Sequence, residues 1–180
     1  SWKSSQPAMA TVDQNGNVKA IAPGKLAITV TTESGKSASC NLLVGLRKGD
    51  VITNGIYRYK VTNTMVDGSG EVEVIGFVKG RSAKKVSIPK SVAWNGIKYN
   101  VTSVGTRAFI KNKKIRNIVI PDSVRKIRHK AFYACPNVKK LTIGKNVSFM
   151  GAHAFCLNKK LEKIVFRGTK LKQLRKPHVF

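Results

Sequence analysis

The chain has 180 residues, with 34 Lys and Arg against 8 Asp and Glu, a net charge of +26. Hydrophobic residues make up 42% of it, enough for packed cores, but no apolar run approaches the roughly 20 residues of a membrane span. Three cysteines exclude a disulfide-framework miniprotein and a four-cysteine zinc site. The charge is uneven: residues 1–80 carry +3, whereas residues 81–180 carry +23 with only Asp122 and Glu162 as acids. The basic part also keeps a regular supply of Val, Ile, Leu and Phe, which a disordered tail would lack.

Residues 1–45 read as short alternating strands separated by turn residues. They run through Trp2-Lys3-Ser4-Ser5, Ala10-Thr11-Val12-Asp13, Gly16, Val18, Ala20, Pro23-Gly24, Ala27-Ile28-Thr29-Val30 and Cys40 to Val44. In this order and spacing they resemble the second half of a group 2 bacterial immunoglobulin-like domain. The resemblance implies a partial β-sandwich that continues upstream in a longer parent chain. Ser1 opens within a pattern and not with a secretory leader, which reads as a fragment or a processed piece.

Residues 46–100 read as a β-rich cap. Asn54-Gly55 and Asn95-Gly96 are two-residue hairpin signals, and Ile56 to Val61 and Ile97, Tyr99 and Val101 alternate beyond them. Asp67-Gly68-Ser69-Gly70 is a further turn before the strand-like Val72-Glu73-Val74. Val86-Ser87-Ile88-Pro89 begins a partial repeat.

Residues 101–180 hold the repeats. Three segments starting at Val101, Val124 and Val147 align without gaps at a period of 23. Seven apolar columns stay in register, among them Ala108/Ala131/Ala154, Phe109/Phe132/Phe155 and Ile118/Leu141/Ile164. A unit of this size cannot bury its own apolar side, but stacked units can. Each unit is expected to supply a short strand, a turn, a second extended piece, and a compact turn or short helix at Ala-Phe. Phe109, Phe132 and Phe155 are expected to form one buried column. At the far end Leu171 and Leu174 repeat the spacing one residue late, and Pro177 is expected to stop it.

These columns, with Asn112, Cys135 and Asn158 three residues after each Phe, resemble the BspA-like leucine-rich repeat family of bacterial surface proteins over about residues 50–175. The expected fold is mostly β with short helical turns. It is a right-handed solenoid of about three repeats plus partial units, preceded by the cap and the partial sandwich. The resemblance implies a secreted or wall-displayed, non-catalytic, adhesin-like protein. Its immunoglobulin-like unit would act as a spacer, and its partners would be extracellular matrix or host-cell proteins. The chain is further expected to be a monomer with no cofactor, no small-molecule substrate and no membrane insertion.

No enzyme constellation stands out. Asp122 and Glu162 fall on different parts of the repeat and do not pair as glycosidase carboxylates would. His129 and His153 are 24 apart, one out of register, and need not share a face; with His178 they read as solvated or packing residues. Cys135 reads as a core corner residue, and no repeated metal or redox motif includes Cys40 or Cys156. Asn100-Val101-Thr102 and Asn146-Val147-Ser148 read as turn sequence. Inward Ile118 and Ile120 imply an outward column of Lys85, Asn117, Lys140 and Lys163. Turn columns add Lys113 with Lys159 and Lys114 with Lys160. Rows of like charge at one repeat spacing point to an alternative partner: an anionic polymer such as nucleic acid, teichoic acid or a sulfated glycan.

Overall fold

The computed structural model describes residues 1–64, 70–169, 173–174 and 179–180. The expected turn at Asp67-Gly68-Ser69 lies outside them, as do Leu171 and Pro177. The described structure is mostly β.

The N-terminal region contains β1 (Trp2–Ser4), β2 (Ala10–Val12), β3 (Val18–Ala20), β4 (Gly24–Thr31) and β5 (Ser37–Val44). β4 is the centre of a three-stranded antiparallel sheet between β1 and β5, and β2 pairs with β3. Alternation along β4 turns Leu26 and Ile28 inward, where they join Ala10 in a small core flanked by Met9, Val12, Leu42 and Val44. Leu46 follows as a tether. Its side chain is buried in the second, larger core, and its N–H donates to the Tyr99 hydroxyl at 3.1 Å.

The next stretch contains β6 (Val51–Asn54), β7 (Tyr57–Asn63), β8 (Gly70–Phe77), β9 (Lys85–Ser87), β10 (Ser91–Trp94) and β11 (Ile97–Val104). β6 and β7 form a hairpin across Asn54-Gly55, and β10 and β11 form another across Asn95-Gly96. Asn95 and Gly96 have φ of 45° and 75°, the left-handed pair that matches the twist of a tight hairpin. Tyr57, Tyr59, Val61, Val72, Val74 and Tyr99 alternate into the core.

The repeats add β12 (Asn117–Val119), β13 (Lys126–Ile127), β14 (Lys140–Ile143), β15 (Phe149–Met150), β16 (Lys163–Phe166) and β17 (Gln173–Leu174). They build two parallel ribbons. The first runs β9-β12-β14-β16, and the second carries β8 and β11 on through β13, β15 and β17. Asn117 pairs with Lys140 and Lys140 with Lys163, so the period of 23 becomes lateral register. Between ribbons lie the columns Val124, Ile127, Ala131, Val138, Leu141 and Ile143, nearly inaccessible to water. The phenylalanines stack as a ladder: Phe109 on Phe132 at 5.0 Å between centroids and Phe132 on Phe155 at 5.3 Å, with rings within 7° of parallel. Phe77 closes the ladder at its N-terminal end, edge-on to Phe109.

Two expectations are corrected. The Ala-Phe corner is not a short helix, and the described residues contain no helix. Each corner holds two left-handed residues, Arg107 and Lys111, Lys130 and Ala134, His153 and Leu157, with φ between 53° and 60°. Its N–H groups serve the next coil instead of a helix of their own. Arg107, Phe109 and Lys111 donate to the carbonyls of His129, Ala131 and Tyr133, and Lys130, Phe132 and Ala134 donate to those of Ala152, Ala154 and Cys156. A helix would spend those donors on the residue four back. The second correction concerns the end of the pattern. It resumes after Pro177, two residues late: the Val179 carbonyl accepts from Phe155 N–H at 2.7 Å, and Phe180 stacks on Phe155 at 5.7 Å.

Candidate binding surface

The first ribbon places its cations by strand register. Lys85, Asn117, Lys140 and Lys163 are direct neighbours on successive strands, and all four are exposed. Alternation accounts for this, because Val86, Ile118 and Leu141 beside them are fully buried. Lys113, Lys114, Lys159 and Lys160 are exposed on the corners that lead into the strands. The side-chain amide of Asn137 donates to the Lys113 carbonyl at 2.8 Å and ties two of those corners together.

A second basic row escaped the alternation argument. Lys84, Arg116 and Lys139 precede the strands, and all are exposed. Backbone bonds connect them, since Arg116 N–H reaches the Lys84 carbonyl and Lys139 N–H the Arg116 carbonyl, both at 2.7 Å. In-and-out alternation holds only while the chain is a strand, and these residues lie just before it begins. Their signal in the sequence was the shared spacing of 23 between Arg116 and Lys139. Glu162 is next in that row, 3.4 Å from the Lys139 ammonium.

The second ribbon is different. Two of its basic residues meet carboxylates from β8, while Lys98 and Lys126 on the same ribbon stay exposed: Arg125 pairs with Glu71, and Arg128 Nε lies 2.7 Å from Glu73 Oε2. Thr102 donates to Glu71 at 3.2 Å and Ser103 approaches Glu73 at 3.5 Å. Beside this pair opens a polar cleft of about 400 Å³ lined by Glu71, Asn100, Thr102, Asp122, Arg125 and Asn146. Two of its groups serve the backbone turn, where Asp122 accepts from Lys145 N–H and the Asn146 amide donates to the Asp122 carbonyl.

The corner column is structural. Asn158 Oδ1 accepts the buried N–H of Cys135 at 2.8 Å, and the Cys135 thiol points at the Phe109 carbonyl at 3.1 Å. Burial pushes that thiol up to about 11, which leaves it protonated and unreactive at neutral pH. Cys156 is half-buried and Cys40 is exposed on β5; all three thiols are free. The histidines do meet across adjacent corners, with His129 and His153 rings 6.0 Å apart and nearly perpendicular. Among the described residues, no three His, Cys, Asp or Glu side chains gather as a metal site would require.

Comparison with known proteins agrees with this architecture. The family described as BspA type Leucine rich repeat region (6 copies) matches residues 77–177, and Bacterial Ig-like domain (group 2) matches residues 1–42. Two uncharacterized proteins of Clostridium acetobutylicum are similar, one 32% identical over 65 residues (36% of this chain) and one 28% identical over 123 residues (68% of it). The chain spans only 16% and 12% of their lengths. Among solved structures, a leucine rich cell surface protein of Faecalibacterium prausnitzii is 26% identical with a TM-score of 0.52, over 66% of this chain and 32% of that one. The pneumococcal vaccine antigen PcpA is 22% identical with a TM-score of 0.48, over 67% and 39%. The repeat match covers more than half of the chain and falls on the columns that form the stacked core. The chain therefore belongs to the BspA type leucine rich repeat family, with a group 2 bacterial Ig-like segment at its N-terminus.

Proposed function

We propose that the chain is a non-catalytic, adhesin-like binding protein of the bacterial surface. In this reading residues 101–180 form a right-handed solenoid that carries the binding face together with β9 of the preceding residues. Residues 46–100 cap it, and residues 1–45 belong to a spacer that holds it away from the cell. The observation that carries the reading is the first ribbon, where exposed side chains repeat at the same place on four adjacent strands. Such a face offers several equivalent contacts to an extended macromolecule and no enclosed pocket for a small substrate. The family membership and the cell-surface neighbour support placement outside the cell. Partners are extracellular matrix or host-cell proteins, or anionic polymers of the wall or host surface; the unpaired lysines favour the second class.

The test is binding of the purified chain to host-cell surfaces, matrix proteins and isolated cell walls. Lys140→Glu with Lys163→Glu should weaken it more than Lys3→Glu with Lys19→Glu on the spacer. Equal effects of the two pairs would refute the ribbon as the binding face.

A further inference from the structure

The few acids of the molecule sort the two ribbons by sign. On the second ribbon Glu71 and Glu73 pair with Arg125 and Arg128. On the first, Lys84, Lys85, Arg116, Lys140 and Lys163 have no carboxylate partner among the described residues, and Glu162 answers Lys139 alone. The same coil thus shows one face whose charge is partly compensated, with Lys98 and Lys126 left over, and one face left almost uncompensated.

The uncompensated charges also have a direction. Neighbouring strands lie about 4.8 Å apart, so Lys85, Lys140 and Lys163 fall on a line of about 14 Å across the strands. Arg116 stands one residue from Asn117, where that line lacks a charge. A polymer laid along a strand would meet two cations, Lys84 and Lys85 or Lys139 and Lys140. Laid across the strands, it meets both rows. Neighbouring charges lie well within a Debye length of about 8 Å, so each repels the next until an anion is shared between them. The outward positions that follow are Ser87, Val119, Thr142 and Val165. None is aromatic, and Phe166 at the end of β16, 46% exposed, is a single ring where single-stranded nucleic acid needs a run of stacking platforms.

We propose that the first ribbon holds a linear sulfated or phosphorylated glycan polymer lying across its strands, along the stacking axis, and that Glu71 and Glu73 keep this polymer off the second ribbon. The proposal rests on the surface-binding reading above and adds the ligand class, its direction and the device that confines it to one face. Lysines contribute most of the contacts as mobile point charges without bidentate geometry, so recognition follows charge spacing more than sugar identity.

Titration calorimetry with a short heparin oligosaccharide and with a short phosphorylated glycan whose repeat is a sugar phosphate tests it, with duplex DNA of matched charge as the third arm. Binding of at least one of the two glycan probes should occur at one chain per protein and weaken about tenfold or more between roughly 50 and 200 mM salt, as counterion release requires. Asn117→Glu places a carboxylate in the middle of the row, as Glu71 and Glu73 do on the other ribbon, and should lower affinity about tenfold. Glu71→Gln with Glu73→Gln should open a second site, doubling the stoichiometry. If that double variant fails to fold, the Asn117→Glu result decides, since residue 117 is exposed. Unchanged affinity in Asn117→Glu, unchanged stoichiometry in a folded glutamine variant, or tighter binding of duplex DNA would overturn the proposal. Loss of matrix-protein binding on Lys140→Glu with Lys163→Glu, without glycan binding by the parent chain, would overturn it and leave the surface-binding reading standing. Absence of every kind of binding would overturn both.

Discussion

The repeats and the immunoglobulin-like segment are both built from short strands, yet they bury their apolar residues in different ways. In the repeats each side chain packs against its own counterparts one coil away, and Ile118, Phe132 and Leu141 reach zero exposure. In the N-terminal segment the described core is Ala10, Leu26 and Ile28, while Trp2, at 40%, and Ile21, at 56%, face solvent. A sandwich closes only when a second sheet covers the first. A stack closes one rung at a time, from its neighbour in sequence. The difference teaches that apolar content is a weaker guide to core quality than whether the pattern repeats at a fixed interval.

Substitutions can break or sharpen this contrast. The largest effect is expected at Phe132, stacked on both faces, where Phe132→Ala should cost about 3–5 kcal/mol in denaturant unfolding. The loss should spread to the coils on either side, because stability in a stack is shared across interfaces. A cost under about 1 kcal/mol would mean that the ladder is not the core of the stack. Leu26→Ala should cost about 2–3 kcal/mol, at the low end for its class, because its core has few members to leave behind. Hydrogen exchange should show this loss in β4 and β5 while amides of β12 and β14 keep their protection; slower protection loss in the repeats than in β4 is the discriminating pattern.

Asn158→Ala comes next, at about 1–2 kcal/mol, since it strands the buried Cys135 N–H without an acceptor. Asn158→Asp, which keeps an acceptor oxygen, should recover part of that loss in the same thermal melt. The smallest effect has the opposite sign. Ala134 sits at φ 54°, where an ordinary residue is strained by about 1–2 kcal/mol, and glycine there gives back part of the gain through its freer unfolded chain. Ala134→Gly should therefore stabilise by up to about 1 kcal/mol, and a lower melting temperature would refute the strain at the corner.

Much of the fold was legible because stacking turns sequence period into spatial register. Columns at a spacing of 23 became ladders of neighbours, and the Asn-Gly pairs became hairpins. The exposed lysines of the first ribbon followed from alternation within a strand. Arg116 and Lys84 lie outside its reach, because that rule stops where the strand stops. Of the two forms expected at Ala-Phe, a compact turn or a short helix, the helix is absent because the acceptor of Phe109 N–H is Ala131, 22 residues on, where local propensity carries no information.

The amino-acid sequence by itself determined which residues stack, since a repeated column can only be buried against its own copies. It also determined the excess of positive charge. Only the tertiary structure decided which part of that charge is left uncompensated. Glu71 and Arg125 lie 54 residues apart, and Glu73 and Arg128 lie 55 apart, outside any repeat interval. They meet because β8 pairs with β11 and β11 with β13, and such lateral neighbours are chosen by the packing of whole strands rather than by the residues themselves.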